Sequence, residues 1–144
     1  MVINEFKMTV DSRSVNESFS RAVVAAFSAQ LDPTVEEIND IKTAVSEAVT
    51  NCIVHGYKNC VGKIYICVKI HDDGKIVITI RDKGCGISDV KKAREPLFTT
   101  LGGDRAGLGF SVMESFTDKL TVRSKPGVGT SVTMIKKTGG REAK

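Results

Sequence analysis

The chain has 144 residues, 41% of them apolar and 26% charged, with a formal net charge of +4. That length suits one domain with its own core and leaves little room for a second, and no run reaches the roughly 18 apolar residues of a membrane helix. The basic residues are spread out, apart from Lys91-Lys92 with Arg94 and Lys136-Lys137, and only 6% of residues are aromatic, so they read as solvated surface rather than as a nucleic-acid stripe.

The opening segment, Met1-Val2-Ile3-Asn4-Glu5-Phe6-Lys7, lacks the apolar core of a signal peptide, and a cytoplasmic location is expected. Residues 4–11 alternate as a short strand. Ser14-x-x-Glu17 reads as a capping box opening a helix over 15–31. Thr34-x-x-Glu37, just after Pro33, reads as a second box opening a helix to about His55, with Gly56 as its stop. Cys52 and Cys67 lie in apolar stretches and read as small core residues. The four cysteines, with Cys60 and Cys85, contain no C-x-x-C pair, and His55 and His71 complete no zinc pattern; neither a disulfide nor a structural metal is expected.

The period then changes to two. Ile64, Ile66, Val68 and Ile70 alternate with more polar residues, and so do Ile76, Ile78 and Ile80 beyond Asp72-Asp73-Gly74. Two antiparallel strands joined by a hairpin explain this. Residues 83–106 show little periodicity. A helix over about 107–118, a strand around Leu120 and Val122, a turn at 126–129 and a last strand over 131–137 follow. One domain over 1–137 is expected, with 138–144 as a flexible tail. Helices and antiparallel strands in separate blocks predict an α+β two-layer sandwich, with helices on one face of one sheet.

Three elements are candidates to carry chemistry. Glu47 and Asn51 stand four residues apart on the second helix, off its apolar stripe of Ile38, Ile41, Val45, Val49 and Cys52, so they stack on one face, either as a functional pair or as two solvated polar residues of an amphipathic helix. Asp82-Lys83-Gly84-Cys85-Gly86 leaves a strand end. It is either a turn or a loop whose Asp accepts a hydrogen bond while the glycines admit a flat base. Gly107-Leu108-Gly109 opens a helix, a place suited to phosphates or an ordinary turn. The run 96–105, ending at Arg105, suits a mobile lid or a surface loop. Thr130 opens the last strand, either as a hydroxyl placed to support Asp82 or as a β-branched residue after an ordinary hairpin turn.

In this order the elements resemble the GHKL superfamily with its Bergerat ATP-binding fold, shared by type II topoisomerases, a heat-shock chaperone, a mismatch-repair ATPase and histidine kinases. Within it, Ser46-Glu47-Ala48-Val49-Thr50-Asn51, His55-Gly56-Tyr57 and Pro96-Leu97-Phe98-Thr99-Thr100 are similar to the anti-sigma serine kinases. Arg13-Ser14-Val15-Asn16-Glu17-Ser18-Phe19 and Gln30-Leu31-Asp32-Pro33-Thr34 are similar to their sporulation type.

The resemblance implies that ATP or ADP binds with Mg²⁺. Asn51 would hold the metal against the phosphates, and Glu47 would orient or deprotonate the attacking hydroxyl. Asp82 would accept from the adenine amino group in a pocket shaped by Gly84 and Gly86, with Thr130 at that end. Thr99, Thr100, Arg105, Gly107 and Gly109 would engage the terminal phosphates, Arg105 catalytically. The implied partners are a sigma factor of the sigma F type and a small anti-anti-sigma factor phosphorylated on serine. A homodimer is implied, with neither nucleic acid nor membrane bound directly. Glu17 and Arg21 on the first helix are either a partner surface or a solvated ion pair. Two alternatives stay open at this point: a non-catalytic ATP-gated binding module, and a stress-response anti-sigma kinase.

Overall fold

The computed structural model describes residues 1–95 and 109–139. Among them, five strands form one antiparallel sheet in the order β1-β2-β3-β5-β4: β1 (Val2–Asp11), β2 (Lys63–His71), β3 (Lys75–Asp82), β4 (Lys119–Lys125) and β5 (Gly129–Lys137). The helices are α1 (Val15–Ser28), α2 (Val35–Asn51), α3 (Val90–Ala93) and α4 (Phe110–Ser115). This is the α+β two-layer sandwich expected.

The period-two residues face the helices. Ile64, Ile66, Val68 and Ile70 of β2 and Ile76, Ile78 and Ile80 of β3 are all buried, as are Val132 and Met134 of β5. Ile41, Ala44, Val45, Ala48 and Val49 of α2, with Val24 of α1, close over them in one cluster. Each fully buried branched side chain contributes about 2 kcal/mol by leaving water. At the β1 edge, the Phe6 and Phe27 rings meet edge to face at 4.7 Å and hold α1 to the sheet. On the far side, Lys136 of β5 reaches Asp40 of α2 at 2.8 Å.

Several local expectations are corrected. The Thr34 box forms, with Glu37 N–H on Thr34 Oγ1 at 3.0 Å and Thr34 N–H on Glu37 Oε1 at 2.8 Å. The Ser14 box does not: Ser14 already has helical backbone angles and its side chain caps nothing. The Glu17 carboxylate that would complete it accepts instead from Ser46 Oγ of α2 and pairs with Arg21 at 3.2 Å. α1 gives way to a tighter turn over Ala29–Leu31, and α2 runs on through a wider, π-type turn over Cys52–Gly56. Cys52 is buried, whereas Cys67 lies on the opposite face of β2, away from the core. Thr138, expected in a flexible tail, is fully buried, and its N–H and hydroxyl both bond to Gly74 O, at 3.1 and 2.7 Å. That pair of bonds ties the end of β5 to the β2–β3 turn.

Candidate functional site

The end of β3, the C-terminal turns of α2 and the start of β5 enclose a cavity of about 260 Å³. Asn51, Asp82, Gly86 and Thr130 line it, together with apolar Ala48, Ile80, Ile87, Phe110 and Val132. Four residues singled out in the sequence thus share one cavity, although they come from three separate elements.

Asp82 is the last residue of β3 and only 5% exposed. Its side chain takes the core side of the sheet because it continues the alternation of Ile76, Ile78 and Ile80. One carboxylate oxygen accepts from Gly84 N–H at 2.9 Å. The other lies over Gly56, where an added Cβ would come within 2.7 Å of it. Burial pushes the Cys52 thiol pKa well up, and the Asp82 carboxylate beside it adds to the shift. Cys52 therefore stays a neutral wall of the cavity.

The glycines of this loop are needed for close approach. A Cβ on Gly84 would meet Gly56 O at 2.1 Å, and Cys85 N–H donates to the same oxygen at 3.0 Å. The loop after β3 is thereby fastened to the end of α2. Tyr57 braces it from behind, accepting from Lys83 N–H at 2.7 Å and donating to Lys63 O at 2.6 Å. Gly86 packs against Lys125 O, where a Cβ would sit at 2.2 Å.

Thr130 lies opposite Asp82 in the β3–β5 register, but its hydroxyl meets Ser124 Oγ at 2.8 Å rather than the carboxylate. Ser124 also accepts from Ile87 N–H at 2.7 Å and donates to Gly129 O at 3.0 Å. The sequence reading missed Ser124, Gly56 as a contact of Asp82, and Tyr57 as a brace. Gly56-Tyr57 carried a signal through the resemblance, whereas a serine inside a strand carried none.

Asn51 presents an unmet polar group: its side-chain N–H₂ is buried and has no hydrogen-bond partner among the described residues. A buried amide left so is destabilising by about 1–3 kcal/mol, and half a turn about its last bond presents the oxygen in the same place. It therefore fits either a phosphate oxygen or a hard cation. Among the described residues no group of three His, Cys, Asp or Glu side chains gathers to hold a metal alone. A magnesium ion fits this site in the way that ion usually binds, with few protein ligands and the remainder from phosphates and water.

Glu47 stands one turn before Asn51 and opens elsewhere. It lines a shallow groove with Arg21, Asn39, Lys42, Thr43 and Ser46. Gly109, at φ +73° just before α4, lies against it; a Cβ there would come within 2.3 Å of Glu47 Oε1. Gly109 thus meets the predicted catalytic carboxylate. Thr99, Thr100, Arg105 and Gly107 lie outside the described residues. Glu17 and Arg21 sit at the edge of the Glu47 groove, joined to α2 through Ser46.

Residues 10–136 match the histidine kinase-like ATPase domain family. The anti-sigma F factor of Thermoanaerobacter sp. (strain X514) is 58% identical over 137 residues, covering 94% of this chain and 95% of that protein. The anti-sigma F factor of Bacillus subtilis (strain 168) is 50% identical over 135 residues, or 92% of each chain. Among solved structures, that of the RsbU and RsbW domains of Rv1364c from Mycobacterium tuberculosis is similar at a TM-score of 0.71 and 22% identity over 99% of this chain. This chain spans 34% of that one. The mycobacterial sensor histidine kinase MprB is similar at a TM-score of 0.55 and 17% identity. At those identities the two structures speak for the fold alone. Among the described residues, no helix is long and apolar enough to cross a membrane.

Proposed function

Because the chain belongs to the histidine kinase-like ATPase family, and within it to the anti-sigma F factors, we propose that it is an ATP-dependent protein serine kinase that also sequesters a sigma factor. The sigma factor is of the sigma F type, the phosphorylated partner is an anti-anti-sigma factor, and the protein works in the cytoplasm as a homodimer. One observation carries the kinase reading. Asp82 and the unpartnered amide of Asn51 line one cavity, while Glu47, a turn away on the same helix, opens on a separate surface groove. Nucleotide and protein acceptor can thus meet at neighbouring turns of the same face of α2.

The proposed roles combine this placement with the family resemblance. The Asp82 carboxylate, fixed by Gly84 N–H, accepts a hydrogen bond from the adenine amino group, and Ile80, Ile87 and Val132 cover the base. Asn51 holds the phosphate end. Bound ATP supplies the phosphoryl group and Mg²⁺ neutralises its charge. Glu47 orients the acceptor serine and takes its proton, a role worth about 10²–10⁴-fold in rate. Thr99, Thr100, Arg105, Gly107 and Gly109 serve the terminal phosphates, Arg105 as a cation on the transferring group. Glu17 and Arg21 form part of the partner surface beside Glu47.

The test mixes the protein with γ-labelled ATP, Mg²⁺ and a candidate anti-anti-sigma factor. Phosphoserine is expected on the partner. Glu47→Gln is expected to bind nucleotide normally and to lose transfer by at least about 10²-fold, and Asn51→Ala to lose Mg-dependent transfer. Wild-type transfer by Glu47→Gln would remove Glu47 from the chemistry. Nucleotide binding with no transfer to any such partner would leave a nucleotide-gated binding module.

A further inference from the structure

The sheet face turned away from the helices carries a second concave surface at the same end as the cavity. Arg81, Lys83, Arg123 and Lys125 border a depression of about 370 Å³, with Ser131 between them. All four cations are exposed, and none has an acidic partner within salt-bridge distance among the described residues. The register places them together: Arg81 of β3 pairs with Ser131 of β5, which pairs with Arg123 of β4. Strand spacing puts Arg81 and Arg123 about 10 Å apart, and Arg123 and Lys125 about 7 Å apart along β4. Tyr65 of β2 holds one side in place, its ring 5.0 Å from the Arg81 guanidinium and 5.1 Å from the Lys83 ammonium. Asp82 also lines the depression, but it is buried, with its side chain on the core side of the sheet; Asp11, on the same face as the cations, lies two strands away and is taken by Lys63 at 2.7 Å.

Four exposed like charges held together without counter-charge favour an anionic occupant. We propose that Arg81, Lys83, Arg123 and Lys125 form a docking surface for an acidic segment of a protein partner, on the opposite face of the sheet from the nucleotide cavity. The spacing of about 7 Å between Arg123 and Lys125 matches carboxylates two residues apart on one face of an extended chain, at about 3.4 Å per residue. A two-fold axis through the patch would set its cations against their own copies, so the patch does not lie on the axis of a dimer. Nucleic acid fits poorly: the aromatic ring at the patch, Tyr65, is already engaged by two of its cations rather than free to stack on a base. The patch is also short beside the roughly 6–10 phosphate contacts of a salt-dependent DNA binder.

The experiment uses the full chain and a fluorescein-labelled peptide of alternating Glu and Gly, read by anisotropy at low and at physiological salt, with a Gln-Gly peptide as control. The Glu peptide is expected to bind at low salt and weaken with added salt. Its binding should fall at least tenfold in Arg123→Ser/Lys125→Ser and about threefold in Lys83→Ser, with thermal melts and ATP binding unchanged in both. Equal binding by wild type and variants overturns the proposal, as does no binding at all. Displacement of the peptide by a mixed-sequence DNA duplex at a lower concentration than by unlabelled peptide overturns it in favour of nucleic acid.

Discussion

Gly84→Ala tests the joint between α2 and the loop after β3. Gly84 lies outside the left-handed region, so its replacement introduces no backbone strain of that kind; the only obstacle is space. The new Cβ would sit 2.1 Å from Gly56 O and 2.4 Å from Gly56 C. Carbon and a carbonyl oxygen approach to about 3.3 Å, so the two main chains must part by about 1.2 Å, and no rotamer change relieves a clash between backbones. Overpacking of this kind is destabilising by about 1–3 kcal/mol. Stretching the Cys85 N–H bond to Gly56 O, 3.0 Å in the wild type, adds about 1 kcal/mol. The sum, about 2–4 kcal/mol, lowers the melting temperature by about 6–12 °C at roughly 3 °C per kcal/mol for a domain of this size. Asp82 shifts with the loop, because Gly84 N–H is its fixed donor; ATP affinity should fall about tenfold, the equivalent of one hydrogen bond of about 1.4 kcal/mol. Differential scanning fluorimetry and isothermal titration calorimetry read the two effects. Gly127→Ala is the control: its φ of +78° is unfavourable to Ala, but nothing lies within 4 Å of the added Cβ, so about 1 kcal/mol is expected with ATP binding intact. A Gly84→Ala protein melting within 2 °C of wild type, or binding ATP as tightly, would refute the reasoning.

Lys136→Met should destabilise the fold by about 1–3 kcal/mol in urea denaturation, because it leaves Asp40 without its partner at a site where both side chains are largely covered, 14% and 21% exposed. Cys60 and Cys85 are exposed and should react promptly with a thiol reagent, while Cys52 reacts only on unfolding; saturating ATP should slow Cys85, which lines the same cavity as Asp82. Burial, followed by the charge of Lys75, lowers the His71 pKa. The folded state therefore binds fewer protons than the unfolded one just below the usual His value of about 6.5, so stability should fall as pH drops from 7 toward 5.5. In His71→Gln, chemical denaturation across that range should show a smaller slope.

Much of this architecture was legible because its signals are local. The alternation of Ile64–Ile70 and Ile76–Ile80 needs only the two-residue period of a strand to place its branched side chains, and the Thr34 box closes within four residues. The Ser14 box had the same pattern and failed. Glu17 found Ser46, 29 residues away, and Arg21, and a distant pair of partners outweighed a local cap. Apolar neighbours likewise put Cys52 and Cys67 in one class, yet the two-residue period of β2 turns Cys67 away from the core, while Cys52 is buried at the end of α2. Thr138 read as tail because nothing near it in sequence shows that Gly74 lies above it.

The amino-acid sequence by itself determined which groups are available: a carboxylate and an amide one turn apart on a helix, and an Asp followed by two glycines at a strand end. Those follow from helical and strand periods, which are properties of the chain. Only the tertiary structure decided that Asp82 and Asn51 share a cavity while Glu47 opens on a groove of its own. It also decided that Gly84 meets the backbone of Gly56 and that Gly56 lies under the Asp82 carboxylate, and that four scattered cations converge on one end of the bare sheet face. Each of these rests on residues tens of positions apart, and their proximity comes from strand order and packing, which no local period encodes.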